Sequence, residues 1–398
     1  MPEMMPFRGW RYAPSINLAE VTAPPYDVLS DADVAAYAAR DACNIVHVDV
    51  PPQTPEGYRD AAATLGTWMA DGTMVRDDAP TLTLYRLSFD DATGAARAIT
   101  GVFGGLPVVD YGKGPVLPHE NVTPKASTDR LDLTRATNAN LSPVWGLSLA
   151  SGLAATLQKA WDDAVAAGAE PAGLTEAGVT HEVIPISDPA TIAAINALLG
   201  TADVLIADGH HRYGVAQKYR DEVGAAVGSN EPAAYTMTFV NELVDDQLSV
   251  EAIHRMYDGV TLKDLMMALA TCFDISHASP PTPAMLAEMV QTGRLVLIAK
   301  DGSAAWLTPK PGAFDGIRAL DGAWLEHALA DVPGLQVTYQ HGLPEVVKAV
   351  RDHSAAILIR PTSIDEIRRT ATEGLLMPPK STFFTPKLRT GLLVRTLD

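Results

Sequence analysis

V-L-I-A-D-G-H-H-R-Y, residues 204 to 213, decides how the middle of this chain is read. Leu205 and Ile206 belong to an apolar run of strand length, Asp208 and Gly209 interrupt it, and Arg212 to Glu222 has the composition of a helix. A strand that turns at a glycine straight into a helix presents the first N–H groups of that helix and the positive end of its dipole. Such a turn suits a phosphate or a carboxylate. Asp208, His210, His211 and Arg212 ring that position. The bland alternative is a surface loop whose Asp merely caps the helix, but two adjacent histidines and an arginine exceed what capping requires.

With 398 residues, 47% hydrophobic content and a mean hydropathy of +0.05, the chain is long and apolar enough for two or three structural units. A net charge of −18 opposes general affinity for nucleic acid or anionic membrane, which rests on clustered Lys and Arg. Cys43 and Cys272 are the only cysteines, so neither a disulfide framework nor a multi-cysteine zinc motif is available. The opening M-P-E-M-M-P-F-R-G-W has no signal-peptide core, and no window reaches the ~18 apolar residues of a membrane span. A cytoplasmic location is the expectation, and a homodimer is compatible with the sequence.

Short strands alternate with helical stretches along the whole chain, without repeats or long linkers. The expected organisation is an N-terminal α/β region over 1–100, a chemically dense core over 101–245 and a C-terminal α+β region over 246–398. The first contains an entry loop stiffened by Pro24 and Pro25, helices near 31–40 and 56–71, and strands near 81–89 and 97–104. The core carries a glycine-rich G-V-F-G-G-L-P, a loop from Tyr111 to Leu131, a helix near 152–168 and a strand near 234–241. The last region reads as helices near 262–272, 283–292, 317–330, 344–351 and 363–373, with strands near 295–299, 335–340, 356–360 and 391–396. The fold class is α+β.

Three further groups of residues hold candidate chemistry. Pro118-His119-Glu120 precedes Lys125 and the pair Asp129-Arg130; Glu120 is a candidate general base or metal ligand. Lys380, Ser381 and Thr382, with Lys387 close behind, could contact an anion, but the G-x-x-x-x-G of a phosphate loop is missing before them. Tyr26 and Asp27 in the entry loop and His254-Arg255 are candidates for a substrate pocket, Arg255 as the partner of a carboxylate or phosphate. For His254 alone, a satisfied core histidine is the simpler reading.

P-F-R-G-W-R-Y near the start, A-P-P-Y-D-V-L-S at 23–30, N-I-V-H-V at 44–48, L-P-H-E at 117–120, A-D-G-H-H-R-Y at 207–213 and M-P-P-K-S-T-F-F-T-P-K-L at 377–388 resemble the blocks of the domain of unknown function 1015 family. The resemblance spans the chain and implies no reaction. In the middle third, H-E followed by D-G-H-H-R is similar to the pattern of free serine kinases with a ParB/sulfiredoxin-like fold. That second resemblance implies a ParB/sulfiredoxin-like mixed core with N- and C-terminal α/β additions. It makes Glu120 the base on the substrate hydroxyl and gives Asp208, Gly209, His210, His211 and Arg212 to the nucleotide phosphates of ATP or ADP, with Asp208 a candidate for Mg²⁺. His119, Lys125, Lys380, Ser381, Thr382 and Lys387 complete the candidate phosphate contacts. The chain departs from the compact kinases in the 88 positions between Glu120 and Asp208, which an insertion including the helix near 152–168 accounts for.

The expected partners are thus a nucleotide and a small hydroxyl metabolite, serine first. Three competitors share the site. A phosphomonoester hydrolase would put water in place of the hydroxyl. A transition-metal hydrolase would use Glu120, His119, Asp208, His210 and His211, although these lack H-E-x-x-H spacing. A nucleotide-binding ParB-like regulator would need no catalysis, and the net charge speaks against its binding DNA.

Overall fold

A computed structural model describes residues 2–90, 95–110, 113–118, 127–377 and 380–398. The architecture is mixed α/β in two compact units. The first comprises Met1–Ser249, Arg368–Leu376 and Pro386–Asp398, and the second Val250–Ile367 and Met377–Thr385.

The first unit is built on eight strands: β1 (Leu82–Asp90), β2 (Ala96–Pro107), β3 (Val116–Leu117), β4 (Val144–Ser148), β5 (Ala172–Glu176), β6 (Val179–Ile186), β7 (Val204–Asp208) and β8 (Tyr235–Glu242). Their order across the sheet is β3-β7-β4-β8-β2-β1-β6-β5. A boundary at 100/101 would fall inside β2, and the one near 245/246 lies four residues before the passage between the units at 249/250.

Alternation along these strands sends neighbouring residues to opposite faces. Leu84, Val102, Ile206 and Val240 pack on one face against the helices α3 (Leu153–Ala166) and α4 (Pro189–Leu199). The stripe Leu153, Leu157, Ala160 and Trp161 gives α3 its buried side, and the Glu242 carboxylate accepts from the Gly152 and Ala154 N–H groups at its start, at 3.2 and 2.8 Å. The alternate residues Tyr85, Phe103, Trp145 and Phe239 form an aromatic cluster with ring centroids 5.1 to 5.8 Å apart. Trp145 is a core residue whose Nε1 donates to Asn241 at 2.7 Å. The glycine-rich G-V-F-G-G-L-P is strand: a Cβ on Gly101 would lie 2.3 Å from the Phe239 ring.

Two further helices pack on each other. α1 (Pro55–Ala70) is capped by Thr54, whose hydroxyl accepts from Gly57 N–H, and buries Tyr58, Ala61, Leu65 and Trp68. α2 (Ser127–Thr137) corrects the expected loop from Tyr111 to Leu131, whose last five residues are helical. Polar at nearly every position, S-T-D-R-L-D-L-T-R-A-T offers little apolar periodicity to reveal it.

In the second unit, β9 (Ile253–Asp258), β10 (Phe273–Ala278), β11 (Leu295–Ala299), β12 (Ala304–Pro309), β13 (Gln336–His341) and β14 (Ala355–Leu358) take the order β10-β12-β11-β14-β9-β13. Leu295 and Leu297 of β11 join Leu265, Leu269, Leu325 and Leu329 in one core. Val296 and Ile298 join Met285, Met289 and Val346 in another. The sheet is therefore covered on both faces, which explains why β11 reads as an unbroken apolar run. The strand expected near 391–396 narrows to Arg395–Thr396, paired with Ala139–Asn140; Gly391, at φ +96°, interrupts extended backbone before it. Among the described residues, no helix is long and apolar enough to cross a membrane.

Candidate functional site

β7 runs into α5 (His210–Glu222) through a single residue, Gly209, at φ +85° and ψ +28°. The left-handed conformation suits glycine, and so does the space: a Cβ there would stand 3.0 Å from Arg212 Nε. Pairing with β4 is irregular just before the turn. Ile206 faces Gly146 and Asp208 faces Trp145, leaving Ala207 as an extra residue, the kind of bulge that re-aims a side chain at a strand end. The far side of α5 is anchored on the end of β2. The Tyr213 hydroxyl accepts from Val109 N–H at 2.8 Å and donates to the Pro107 carbonyl at 3.0 Å, and Gln217 donates to the Val109 carbonyl at 2.7 Å.

The Asp208 carboxylate is the centre of this turn. Its Oδ1 accepts from Gly209 N–H at 2.9 Å, its Oδ2 accepts from Lys387 Nζ at 3.1 Å, and Arg212 Nη2 lies 3.4 Å from Oδ2. Burial alone would raise its pKa, but the Lys387 ammonium and the Arg212 guanidinium outweigh burial and hold the carboxyl well below its usual range. Asp208 is therefore a fixed anion that orders two cations. His210 and His211 stand half-buried in the first turn of α5.

Arg212 does not reach outward. Its side chain is 8% exposed, its Nη1 donates to the Pro143 carbonyl, and its Nη2 is 3.8 Å from Asp27 Oδ2. Asp27 itself is exposed, whereas the Tyr26 ring lies under the Arg130 guanidinium at 4.0 Å. Burial pushes the Tyr26 hydroxyl up to about 12 against the opposing pull of Arg212. Arg130 also donates to the Asp49 carbonyl at 2.7 Å and to Asp49 Oδ1 at 3.2 Å, while its Nε reaches Asp129 at 3.1 Å. Burial raises the pKa of Asp49, and Arg130 and Arg212 oppose it.

The structure thus brings together Tyr26, Asp27, Asp208, Gly209, Arg212 and Lys387, and adds Asp49, Arg130 and Pro143. For Asp49 the sequence carries one faint signal, an acid closing the apolar N-I-V-H-V. Pro143 acts through its backbone carbonyl and carries none. His119, Glu120 and Lys125 lie outside the described residues.

Lys380, Ser381, Thr382, His254 and Arg255 belong to the second unit. His254 is 3% exposed, and its Nδ1 accepts from Ile359 N–H at 3.2 Å. Burial, aided by Arg255, pulls its pKa down to about 4, which keeps the ring neutral. Arg255 donates to the Ile253 carbonyl at 2.6 Å and to the Lys380 carbonyl at 3.1 Å. It ties Lys380 to β9. Ser381 and Thr382 are buried, and the Ser381 carbonyl accepts from Thr362 at 3.0 Å.

A metal does not fit the turn as built. Both oxygens of Asp208 are engaged, with Lys387 and Arg212 standing where a cation would, and among the described residues no three His, Cys, Asp or Glu side chains group to hold an ion.

Solved structures to which the chain is similar include a mutant free serine kinase in complex with ADP, at 11% identity and a TM-score of 0.39 over 72% of this chain and 87% of that one. SbnI from Staphylococcus aureus, with a C-terminal truncation, matches at 12% and 0.39 over 74% and 87%. A conserved hypothetical protein from Pyrococcus furiosus matches at 13% and 0.37 over 72% and 90%. No curated protein matches the chain. The model of one family, described as a protein of unknown function (DUF1015), matches residues 4–323, and the chain belongs to that family.

Proposed function

We propose that the chain is a phosphotransferase whose ParB/sulfiredoxin-like core holds the phosphates of ATP or ADP at the Asp208–Arg212 turn and phosphorylates a small hydroxyl metabolite, serine first. The observation that carries this reading is the ordered charge at the head of α5. Lys387 and Arg212 are both set against an ionised Asp208, where the helix dipole is positive. Phosphoryl transfer asks a protein mainly to position reactants and to neutralise charge spreading over phosphate oxygens. Lys387, held in place on Asp208, does that without reorganising, while Arg212 keeps Asp208 fixed from inside.

The base in this reading is Glu120, which lies outside the described residues. In the proposed step the substrate hydroxyl oxygen bonds to the terminal phosphorus, the bond to the bridging oxygen breaks, and the hydroxyl proton passes to Glu120.

The test is ³¹P NMR of the protein with ATP or ADP and a pool of hydroxyl amino acids, repeated with Glu120→Gln and Asp208→Asn. A new phosphomonoester signal that both variants lose is expected. Full transfer by Glu120→Gln would remove Glu120 as the base. Cleavage of phosphoserine without nucleotide would make the site a hydrolase, and nucleotide binding with no turnover of any acceptor would make it a regulator.

A further inference from the structure

α2 and α5 do not close on each other completely. Arg212, Ala216 and Tyr219 on one side of α5 and Arg130 and Thr134 on α2 line a cavity of about 50 Å³, with Asp49 in its wall. The spacings i, i+4, i+7 and i, i+4 place each set on a single helix face. That room corresponds to about four water molecules, enough for a carboxylate and an ammonium group and too little for a nucleoside.

The wall is unevenly satisfied. Among the described residues, Nε and Nη2 of the nine-tenths-buried Arg212 donate no hydrogen bond; the approaches of Nη2 to Asp208 and Asp27 are contacts of charge. Asp49 is 2% exposed and its Oδ1 takes Arg130, while its Oδ2 accepts nothing among the described residues. Buried donors and acceptors are normally matched, by protein, water or ligand. Charge narrows the choice. Arg130, Arg212 and Lys387 face Asp27, Asp49, Asp129 and Asp208, three cations against four carboxylates. A lone anion would leave the Asp49 carboxylate unmatched, and a lone cation would leave the Arg212 donors unmatched. A molecule carrying both signs would match the open donors and the open acceptor without altering the balance of charge.

We propose that this cavity binds a small zwitterion, its carboxylate on the Arg212 guanidinium and its ammonium on Asp49. The assignment needs no phosphoryl transfer, so it stands or falls separately from the kinase reading.

The test is calorimetric titration of the whole chain, without nucleotide, using glycine and L-serine against acetate, methylammonium and inorganic phosphate. A zwitterion should bind at least tenfold more tightly than any of the other three. Asp49→Asn should weaken zwitterion binding at least tenfold. Because that change could unsettle Arg130, Ala216→Leu provides a second arm: it fills the cavity and should abolish zwitterion binding while circular dichroism shows the fold intact. No heat from either zwitterion at millimolar concentration would leave the cavity to water and overturn the proposal. Equal binding of acetate or phosphate would do the same, as would unchanged binding in a folded Ala216→Leu. Zwitterion binding with no phosphomonoester formed would support the cavity and count against the kinase alone.

Discussion

Replacing Lys387 with Met keeps most of the side-chain stem and removes the charge that meets Asp208 Oδ2 at 3.1 Å. Two unit charges about 3 Å apart attract by about 5 kcal/mol at an effective dielectric of about 20. The side chains are 15% and 20% exposed, so desolvation offsets more than half of that attraction. Arg212, at 3.4 Å, remains to hold Asp208 after the change. A double-mutant cycle with Asp208→Asn should therefore return a coupling of about 2 kcal/mol. Hydrogen exchange of the α5 amides is the suitable assay because it reports the first unit alone; the Tyr213 N–H, bonded to the Gly209 carbonyl at 2.9 Å, is the nearest probe. The sign with pH follows from the lowered pKa of Asp208. Its contribution is complete above the ordinary carboxylate value of about 3.9 and is lost as pH falls through the lowered folded value. The coupling should be full at pH 7 and shrink below about pH 4. A coupling under about 0.5 kcal/mol at pH 7 would refute the reasoning, because the pair would then behave as an ordinary surface contact and Lys387 would have no part in ordering the turn.

Gly209→Ala should destabilise the first unit by about 1–2 kcal/mol through its positive φ alone, and should weaken nucleotide binding because the new Cβ presses on Arg212; a melting curve and a nucleotide titration would show both, and unchanged affinity would contradict the second. His254 sits neutral in the second unit with a pKa of about 4. Its stabilisation is present above the unfolded value of about 6.5 and is lost as pH falls toward 4, about 2 kcal/mol between pH 7 and pH 5. His254→Asn should flatten that acid slope in the exchange of β14 amides, and an unchanged slope would place the acid sensitivity elsewhere.

Elements that show their burial as an apolar run, or their start as a turn residue, were readable in the sequence. L-V-L-I-A at 295–299 announced β11 because both of its faces are covered, and the turn at Gly209 announced α5. Elements that draw their stability from distant partners were not. α2 buries Leu133 against the core of α1 and adds ion pairs such as Arg130 with Asp49, 81 positions away, but its sequence shows no continuous apolar stripe. The partnership of Asp208 with Lys387 spans 179 positions, so both residues could be nominated as candidates while nothing in the spacing joined them. Arg212 shows the same gap in another form. Its chemistry suited an external anion, but the carbonyl of Pro143 and the carboxylates of Asp27 and Asp208 turned it inward. His254 illustrates the reverse case, a lone histidine for which a core role was already the simpler reading and which lies 3% exposed.

The first unit includes residues 386–398. Arg389 donates to Thr22 and its N–H to the Tyr85 hydroxyl, Val394 bridges to Trp10, and Arg395 donates to the Pro232 and Tyr235 carbonyls. During synthesis these partners wait. At ribosomal speeds of about 5–20 residues per second, the 136 residues between Ser249 and Pro386 take roughly 7–27 seconds to emerge, in which time the whole second unit is made. Lys387 emerges 179 positions after Asp208, so the charge order at the head of α5 is completed only after the second unit has been made. Until then Asp208 and Arg212 are without it, and a nascent chain carries this turn in an unfinished form.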